Sequence, residues 1–200
     1  MNNDVTEQKL TKYNEFFSIE HEFSINILPV EEHMGVSYEQ FLANMPTPFK
    51  MASDMSTIDQ AALRPLQALS GSAAQLVDYL NHQSKKIDLL IGYILSQQDE
   101  EQHRYQGLRF GGGGLLFTAN TAFNLTQILE MKIFLLNENY AVYCYGEVIE
   151  IENIDNTFHH KVIFHFIREE DREILVRTSL HEQSKQLQAL AQQRNQERTS

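Results

Sequence analysis

A run of four glycines, Gly111–Gly114, is the feature of this sequence that most invites a chemical role. Glycine-rich loops bind phosphate when they open a helix and carry a lysine and a hydroxyl residue in the pattern G-x-x-x-x-G-K-S/T. Here no lysine and no serine or threonine follows at that spacing, and the next residues, Leu115–Phe117, are typical of a strand. The sequence therefore predicts a tight turn or bulge at the start of a strand and not a phosphate loop.

The histidines and the cysteine are the other candidates for chemistry. His159 and His160 are adjacent in a predicted strand, so their side chains point to opposite faces, and neither they nor His165 have a Cys or carboxylate at zinc-like spacing. We expect three surface histidines and no metal. Cys144 lies in mid-strand without a matched base, which predicts a small packed residue. Without a catalytic or cofactor motif, we expect no enzymatic activity and no cofactor.

Composition limits the partners that the chain can have. Its 200 residues carry a formal net charge of −11 at pH 7, which repels nucleic-acid phosphates unless basic residues cluster. No apolar run approaches the roughly 18 residues of a membrane span, and the polar start MNNDVTEQKL lacks the features of a signal peptide. One cysteine allows no internal disulfide. We expect a cytoplasmic protein with no nucleic acid polymer as partner and no membrane insertion.

The strongest periodicity lies in the segment 57–99, which is predicted to be a heptad oligomerisation helix. After Pro65, which suits a first helical turn, seam positions alternate three and four residues apart, as in a coiled coil. The seam comprises Leu66, Leu69, Ala73, Leu76, Leu80, Gln83, Ile87, Leu90 and Ile94. The polar Gln83 is of the kind that fixes register or oligomer order. The alternative is a helix packed on its own domain, but about 45 Å of helix would overhang a small barrel.

Two short elements are predicted in the N-terminal segment 1–56. Phe23, Ile25 and Ile27 alternate with polar residues, which indicates a strand that stops at a proline. The pair Ser37 and Gln40 has the spacing of a capping box and predicts a short helix to about residue 45.

The fold class predicted from the remaining segments is α+β. Residues 100–170 contain runs rich in β-branched and aromatic residues separated by short polar loops, which favours an antiparallel β-barrel. In its last strand, Val162, Phe164 and Phe166 are predicted to point inward. Residues 171–196 lack Gly and Pro and predict a C-terminal helix. That helix has a heptad-like stripe of Val176, Leu180, Gln183, Leu187 and Leu190.

Residues 104–188 resemble a PilZ domain. The matching pieces are LRFGGGGLLF at 108–117, GEVIEI at 146–151, KVIFHFI at 161–167 and EEDREILVRTSLHEQ at 169–183. The resemblance implies cyclic di-GMP as the usual ligand, bound by an RxxxR arginine pair and a following Asp/Asn-x-Ser-x-x-Gly turn. Arginine suits this ligand because its planar fork matches phosphates and guanine edges and can stack on bases.

The ligand motif is degenerate in this chain. Arg109 stands where the family has Asp or Asn, and Gly111 stands where it has Ser, whereas Gly113 and Gly114 match. Arg104 and Arg109 are five positions apart and do not form the RxxxR pair. These five residues are the candidate ligand contacts, but ordinary cyclic di-GMP binding is not expected.

A divergent branch of the PilZ family, with a degenerate motif and a heptad-bearing helix before the barrel, is similar to this arrangement. The resemblance implies a homotetramer and a regulatory or adaptor role in bacterial motility, pilus, biofilm or virulence signalling, through a protein partner that the sequence does not identify. The alternative is a sensor of cyclic di-GMP, or of a related nucleotide, that uses Arg104 and Arg109 in an altered geometry.

Overall fold

The computed structural model describes residues 2–30, 37–52, 54–55, 72–135 and 139–199. Its strands are β1 (Ser18–Pro29), β2 (Arg104–Gly111), β3 (Gly114–Ala119), β4 (Ile128–Leu135), β5 (Tyr140–Ile154) and β6 (Thr157–Phe166). Four of its α-helices are α1 (Asn2–Asn14), α2 (Tyr38–Asn44), α3 (Ser72–Ser96) and α4 (Glu169–Thr199), and a 3₁₀ turn, Glu101–His103, precedes β2. Of the predicted heptad helix, residues 57–71 lie outside the described residues.

The six strands close into an antiparallel barrel in the order β1–β2–β3–β6–β5–β4. This confirms the predicted α+β class, with helices before and after the barrel. The strand that closes the barrel is β1, which pairs with β2 on one side (Ile19 opposite Phe110) and with β4 on the other (Ile25 opposite Ile133). The barrel therefore takes one strand from the N-terminal segment in addition to those between residues 100 and 170, and closure leaves no open sheet edge.

One apolar cluster fills the barrel. Ile25, Phe117 and Val142 are fully buried in it, and so is Cys144, as predicted for a small packed residue. Burial raises the pKa of the Cys144 thiol well above its usual value, so it is not a reactive thiolate.

The end of β6 departs from the predicted alternation. Val162 and Phe164 lie in the barrel core as expected, but Phe166 packs outside the barrel. On β5, Tyr145 pairs with Phe166 while the next residue pairs with Phe164, so β6 carries one extra residue, His165. Such a bulge reverses the faces of the residues beyond it. The prediction that Phe166 points inward is therefore wrong.

One of the three histidines is not on the surface. His160 is fully buried, and its ring stacks on Phe117 with a centroid distance of 4.7 Å. The backbone N–H of Phe123 donates to its Nε2 at 3.0 Å. Burial lowers the pKa of His160. The surface prediction is wrong for His160 because it lies two residues before Val162 and shares that residue's inward face.

A second apolar cluster covers the outside of β4 and β5. Helix α2 starts after Ser37, whose side chain accepts from the N–H of Gln40 at 3.2 Å, and this confirms the predicted capping box. Phe41 of α2 stacks on Tyr143 with a centroid distance of 5.6 Å. Leu95, near the end of α3, is fully buried in the same cluster. The C-terminal end of α3 is thus fixed to the barrel.

A buried ion pair fixes the start of α4. Arg168 and Asp171 are both buried, with Arg168 Nε donating to Asp171 Oδ2 at 2.7 Å and Nη2 donating to Oδ1 at 3.1 Å. Arg168 Nη2 also donates to the backbone carbonyl of Phe49 at 3.1 Å. The pair therefore joins the link between β6 and α4, the first turn of α4 and the helical residues 47–52.

Candidate functional site

The glycine run forms the turn between β2 and β3, as predicted. Gly111 is the last residue of β2 and Gly114 is the first of β3. An added Cβ at Gly113 would lie 2.6 Å from the carbonyl oxygen of Tyr13, and one at Gly114 would collide with the carbonyl oxygen of Val162. Side chains are excluded from this turn because other backbone lies directly against it.

Residues 13–17, which we call the covering segment, occupy the outer side of this turn. Tyr13 is buried at 5% exposure and packs beside Gly114, and the ring of Phe16 lies against Gly112. Burial raises the pKa of Tyr13 to about 12. Its hydroxyl is buried without a hydrogen-bond partner among the described residues. The place where a ligand would meet the glycine turn is therefore filled by the chain itself.

Arg172 of α4 holds the covering segment and the turn together. Its Nη1 donates to the carbonyl oxygen of Gly112, and its guanidinium lies 5.4 Å from the ring centroid of Phe16, within cation–π range. Arg172 Nε also lies 3.6 Å from a carboxylate oxygen of Glu169. Three elements, the covering segment, the β2–β3 turn and α4, meet at this one side chain.

The two candidate ligand arginines are separated and both have carboxylate partners. Arg104 pairs with Asp99, with Nη2 2.9 Å from Oδ2, and Arg109 pairs with Glu20. They lie five residues apart on β2, or about 16 Å along a strand. Arg109 lies two residues before Gly111, at the end of β2 that leads into the glycine turn, whereas Arg104 lies at the other end of the strand.

Helix α3 presents its predicted seam to solvent. The exposed seam side chains are Leu76 (61%), Ile87 (40%), Leu90 (64%) and Ile94 (48%), while Leu80 and Gln83 are half-buried. Leu66 and Leu69 lie outside the described residues, and so does the side chain of Ala73. Apolar side chains exposed in this way along one helix are unusual on a monomeric protein.

The covering segment is the part of the site that the sequence analysis missed. Its signal is weak: two adjacent phenylalanines, Phe16 and Phe17, follow a polar stretch with little apolar periodicity. Among the described residues, no three His, Cys, Asp or Glu side chains converge in a way that could hold a metal ion. In the same part of the chain, no helix has the length and apolar character needed to cross a bilayer.

No protein-family model matches the sequence, and no curated protein matches it. Among solved structures, the chain is similar to a pathogenic protein from Xanthomonas campestris, described as a tetrameric PilZ domain self-assembled through a helical bundle. The two share 12% identity over 89% of this chain and 96% of that chain, with a TM-score of 0.54. The fold is that of a PilZ domain. A match at this identity establishes the architecture of a divergent PilZ-like protein and leaves its function open.

Two further solved structures overlap with part of the chain. They are the Bacillus subtilis inhibitor of motility MotI/DgrA, at 17% identity, 41% coverage and a TM-score of 0.39, and K. pneumonia MrkH, at 12%, 44% and 0.35. The chain spans 42% and 44% of the length of these two proteins. The turn on which the sequence analysis places the candidate ligand contacts is the one that the covering segment covers.

Proposed function

We propose that this PilZ-like protein is a non-catalytic regulator that self-associates through α3 and acts by protein contacts. The observation that carries the proposal is a contrast between two surfaces. The glycine turn is covered by the chain's own residues, whereas the apolar seam of α3 is open to solvent. A role in bacterial motility, pilus, biofilm or virulence control is what the PilZ resemblance implies.

Self-association is supported by the energy that the open seam would release. Burying one leucine or isoleucine side chain contributes about 1.5–3 kcal/mol. The four exposed seam side chains are only partly exposed in the single chain, so burying each of them in an interface should contribute about 1 kcal/mol to the free energy of association. They are Leu76, Ile87, Leu90 and Ile94. The Xanthomonas protein, which matches this chain over 96% of its own length, is described as a tetramer self-assembled through a helical bundle. We propose a homotetramer for this chain as well.

The local electrostatics do not favour the usual PilZ ligand. Cyclic di-GMP carries two phosphates, which need arginines that are free to converge on them. Here Arg104 and Arg109 lie far apart and are each paired with a carboxylate, and the whole chain has a net charge of −11. A nucleotide at the glycine turn would also have to displace Tyr13 and Phe16.

The proposal is tested by breaking the seam. Leu80→Asp combined with Ile87→Asp places two charges in the paired surface, and we expect the mass measured by light scattering on a sizing column to fall to that of a single chain. The matched control is Lys85→Glu, because it changes the net charge by the same two units at an exposed position on the opposite face of α3 from the seam. An assembly that survives the seam substitutions would refute self-association through α3.

One observation favours a second candidate, a sensor that binds cyclic di-GMP in an altered geometry. Arg109 is 38% exposed and its partner Glu20 is 65% exposed, and exposed pairs of this kind contribute only about 0–1 kcal/mol. A phosphate could therefore compete for Arg109. Calorimetry distinguishes the two candidates: saturable heat with cyclic di-GMP that disappears in Arg109→Ala supports the sensor, and no heat supports the adaptor.

A further inference from the structure

The exposed apolar surface of α3 is wider than its seam. Tyr79, Leu89 and Tyr93 are 60%, 63% and 66% exposed. With about 100° per residue, these three lie about 60–140° from the centre of the seam, on the side opposite to Leu95, which is buried against the barrel. We call these three residues the tyrosine flank.

The spacing within the flank is regular. Tyr79, Lys86 and Tyr93 are seven residues apart and form one row directly beside the seam, at positions that usually carry Glu or Lys in a two-stranded coiled coil. The tyrosines place apolar rings at two of the three positions in that row, where a dimer would have a charged rim, and Lys86 holds the third. In a two-helix coiled coil joined through the seam alone, Tyr79 and Tyr93 would stay exposed to solvent.

The area of the flank indicates what covers it. Side chains of 150–250 Å² that are about 60% exposed offer about 100 Å² each, so the flank of one copy offers about 300 Å². A stable interface needs roughly 800 Å² per partner. One flank is too small to hold a partner. Two antiparallel chains joined through the seam would bring both flanks to the same face of the dimer and offer about 600 Å², which approaches that size.

The symmetry of a tetramer also favours a second copy of this chain as the partner of the flank. A tetramer with two perpendicular two-fold axes requires two different self-complementary surfaces on each subunit. Helix α3 carries two such surfaces, the seam and the tyrosine flank. We propose that the flank is a second self-association surface, through which two seam-paired dimers of this chain join into a tetramer. This inference rests on the proposed self-association and adds to it the residues that set the order of assembly.

The test is the mass in solution of Tyr79→Glu combined with Tyr93→Glu. Both side chains are 60% or more exposed, so the chain should fold as before, with an unchanged far-ultraviolet circular dichroism spectrum. We expect the wild type to have the mass of a tetramer, the flank variant that of a dimer, and the seam variant that of one chain. The matched control is Arg194→Glu, which changes the charge by the same amount at an exposed position of α4 and should remain a tetramer.

The outcomes separate the two proposals. A wild-type dimer, or a flank variant that stays tetrameric, overturns the inference about the flank and leaves self-association through the seam standing. A monomeric flank variant overturns both, because the intact seam should still pair two chains. A monomeric wild type overturns both.

A second readout does not depend on a disruptive substitution. The chain has no tryptophan, so Tyr93→Trp introduces a single probe. If the flank is an interface, its emission should be blue-shifted and should move to the red when Leu80→Asp and Ile87→Asp are added. Emission typical of exposed indole in the assembled protein would overturn the inference.

Discussion

Tyr13 provides a direct test of the idea that the glycine turn is closed by the chain itself. Its side chain is 5% exposed and packs on Gly114, while its hydroxyl lacks a hydrogen-bond partner among the described residues. The ring should therefore stabilise the covered turn, and the hydroxyl should oppose that stabilisation. Two substitutions separate these contributions: Tyr13→Ala removes both groups, and Tyr13→Phe removes the hydroxyl alone.

The two substitutions should have opposite effects on the free energy of unfolding. Truncating a buried aromatic residue to alanine costs about 3–5 kcal/mol when the rest of the structure stays in place. We expect about 3 kcal/mol for Tyr13→Ala, because the N-terminal segment can detach and relieve part of the cavity. A buried hydroxyl that makes no hydrogen bond costs about 1–3 kcal/mol, so Tyr13→Phe should raise the stability by about 1 kcal/mol.

The pH dependence gives the same test a second arm. Burial raises the pKa of Tyr13 from 10.0 to about 12, so the folded state holds the phenolic proton more tightly than the unfolded state does. Stability from this effect is fully present below pH 10 and is lost as the pH rises towards 12, by about 2–3 kcal/mol in total. Tyr13→Phe has no proton to lose at this position and should show a smaller decrease over that range.

Urea unfolding followed by circular dichroism measures the effect of the substitutions and of pH on the free energy of unfolding. Midpoint urea concentrations are compared between variants whose transitions have the same slope with denaturant. Titration of lysines and of other tyrosines occurs in both proteins and cancels in the difference between wild type and Tyr13→Phe. If Tyr13→Ala leaves the midpoint unchanged, the covering segment does not pack on the turn. If Tyr13→Phe destabilises the protein, the hydroxyl has a partner and the reasoning about its burial is wrong.

Two other predictions concern buried polar groups. Arg168→Met leaves Asp171 charged and without its bidentate partner in a buried site, so the free energy of unfolding measured in urea should fall by about 3–5 kcal/mol. The double variant Arg168→Met with Asp171→Leu should recover much of that stability. A double variant no more stable than the single one would contradict this account. Burial lowers the pKa of His160, so its contribution to stability is present above about pH 6.5 and is lost as the pH falls below that value. His160→Gln should therefore show a shallower decrease in stability between pH 7 and pH 5 than the wild type, and equal slopes would exclude a neutral buried histidine.

Local patterns were enough to predict several elements. The capping box at Ser37 fixes the start of α2 because it depends on residues three positions apart. The heptad spacing predicted the helix that contains α3, and the β-branched runs predicted the strands of the barrel. Each of these signals lies within one element, so it can be read without knowing what the element packs against.

Long-range pairing was not accessible in the same way. The strand around Ile25 was predicted, but its position between β2 and β4 depends on partners about 80–110 residues away in sequence. The extra residue in β6, which turns Phe166 outward, results from the register with β5. The closed state of the glycine turn depends on Tyr13 and Phe16, which no local motif connects with Gly113.

The central claim is that this PilZ-like chain is an assembled scaffold whose ligand turn is closed. The most direct test is the mass in solution, measured by light scattering at several protein concentrations, with and without cyclic di-GMP. The account predicts a stable mass near four chains that the nucleotide does not change. A monomer at all concentrations, or a mass that shifts when the nucleotide is added, would contradict it.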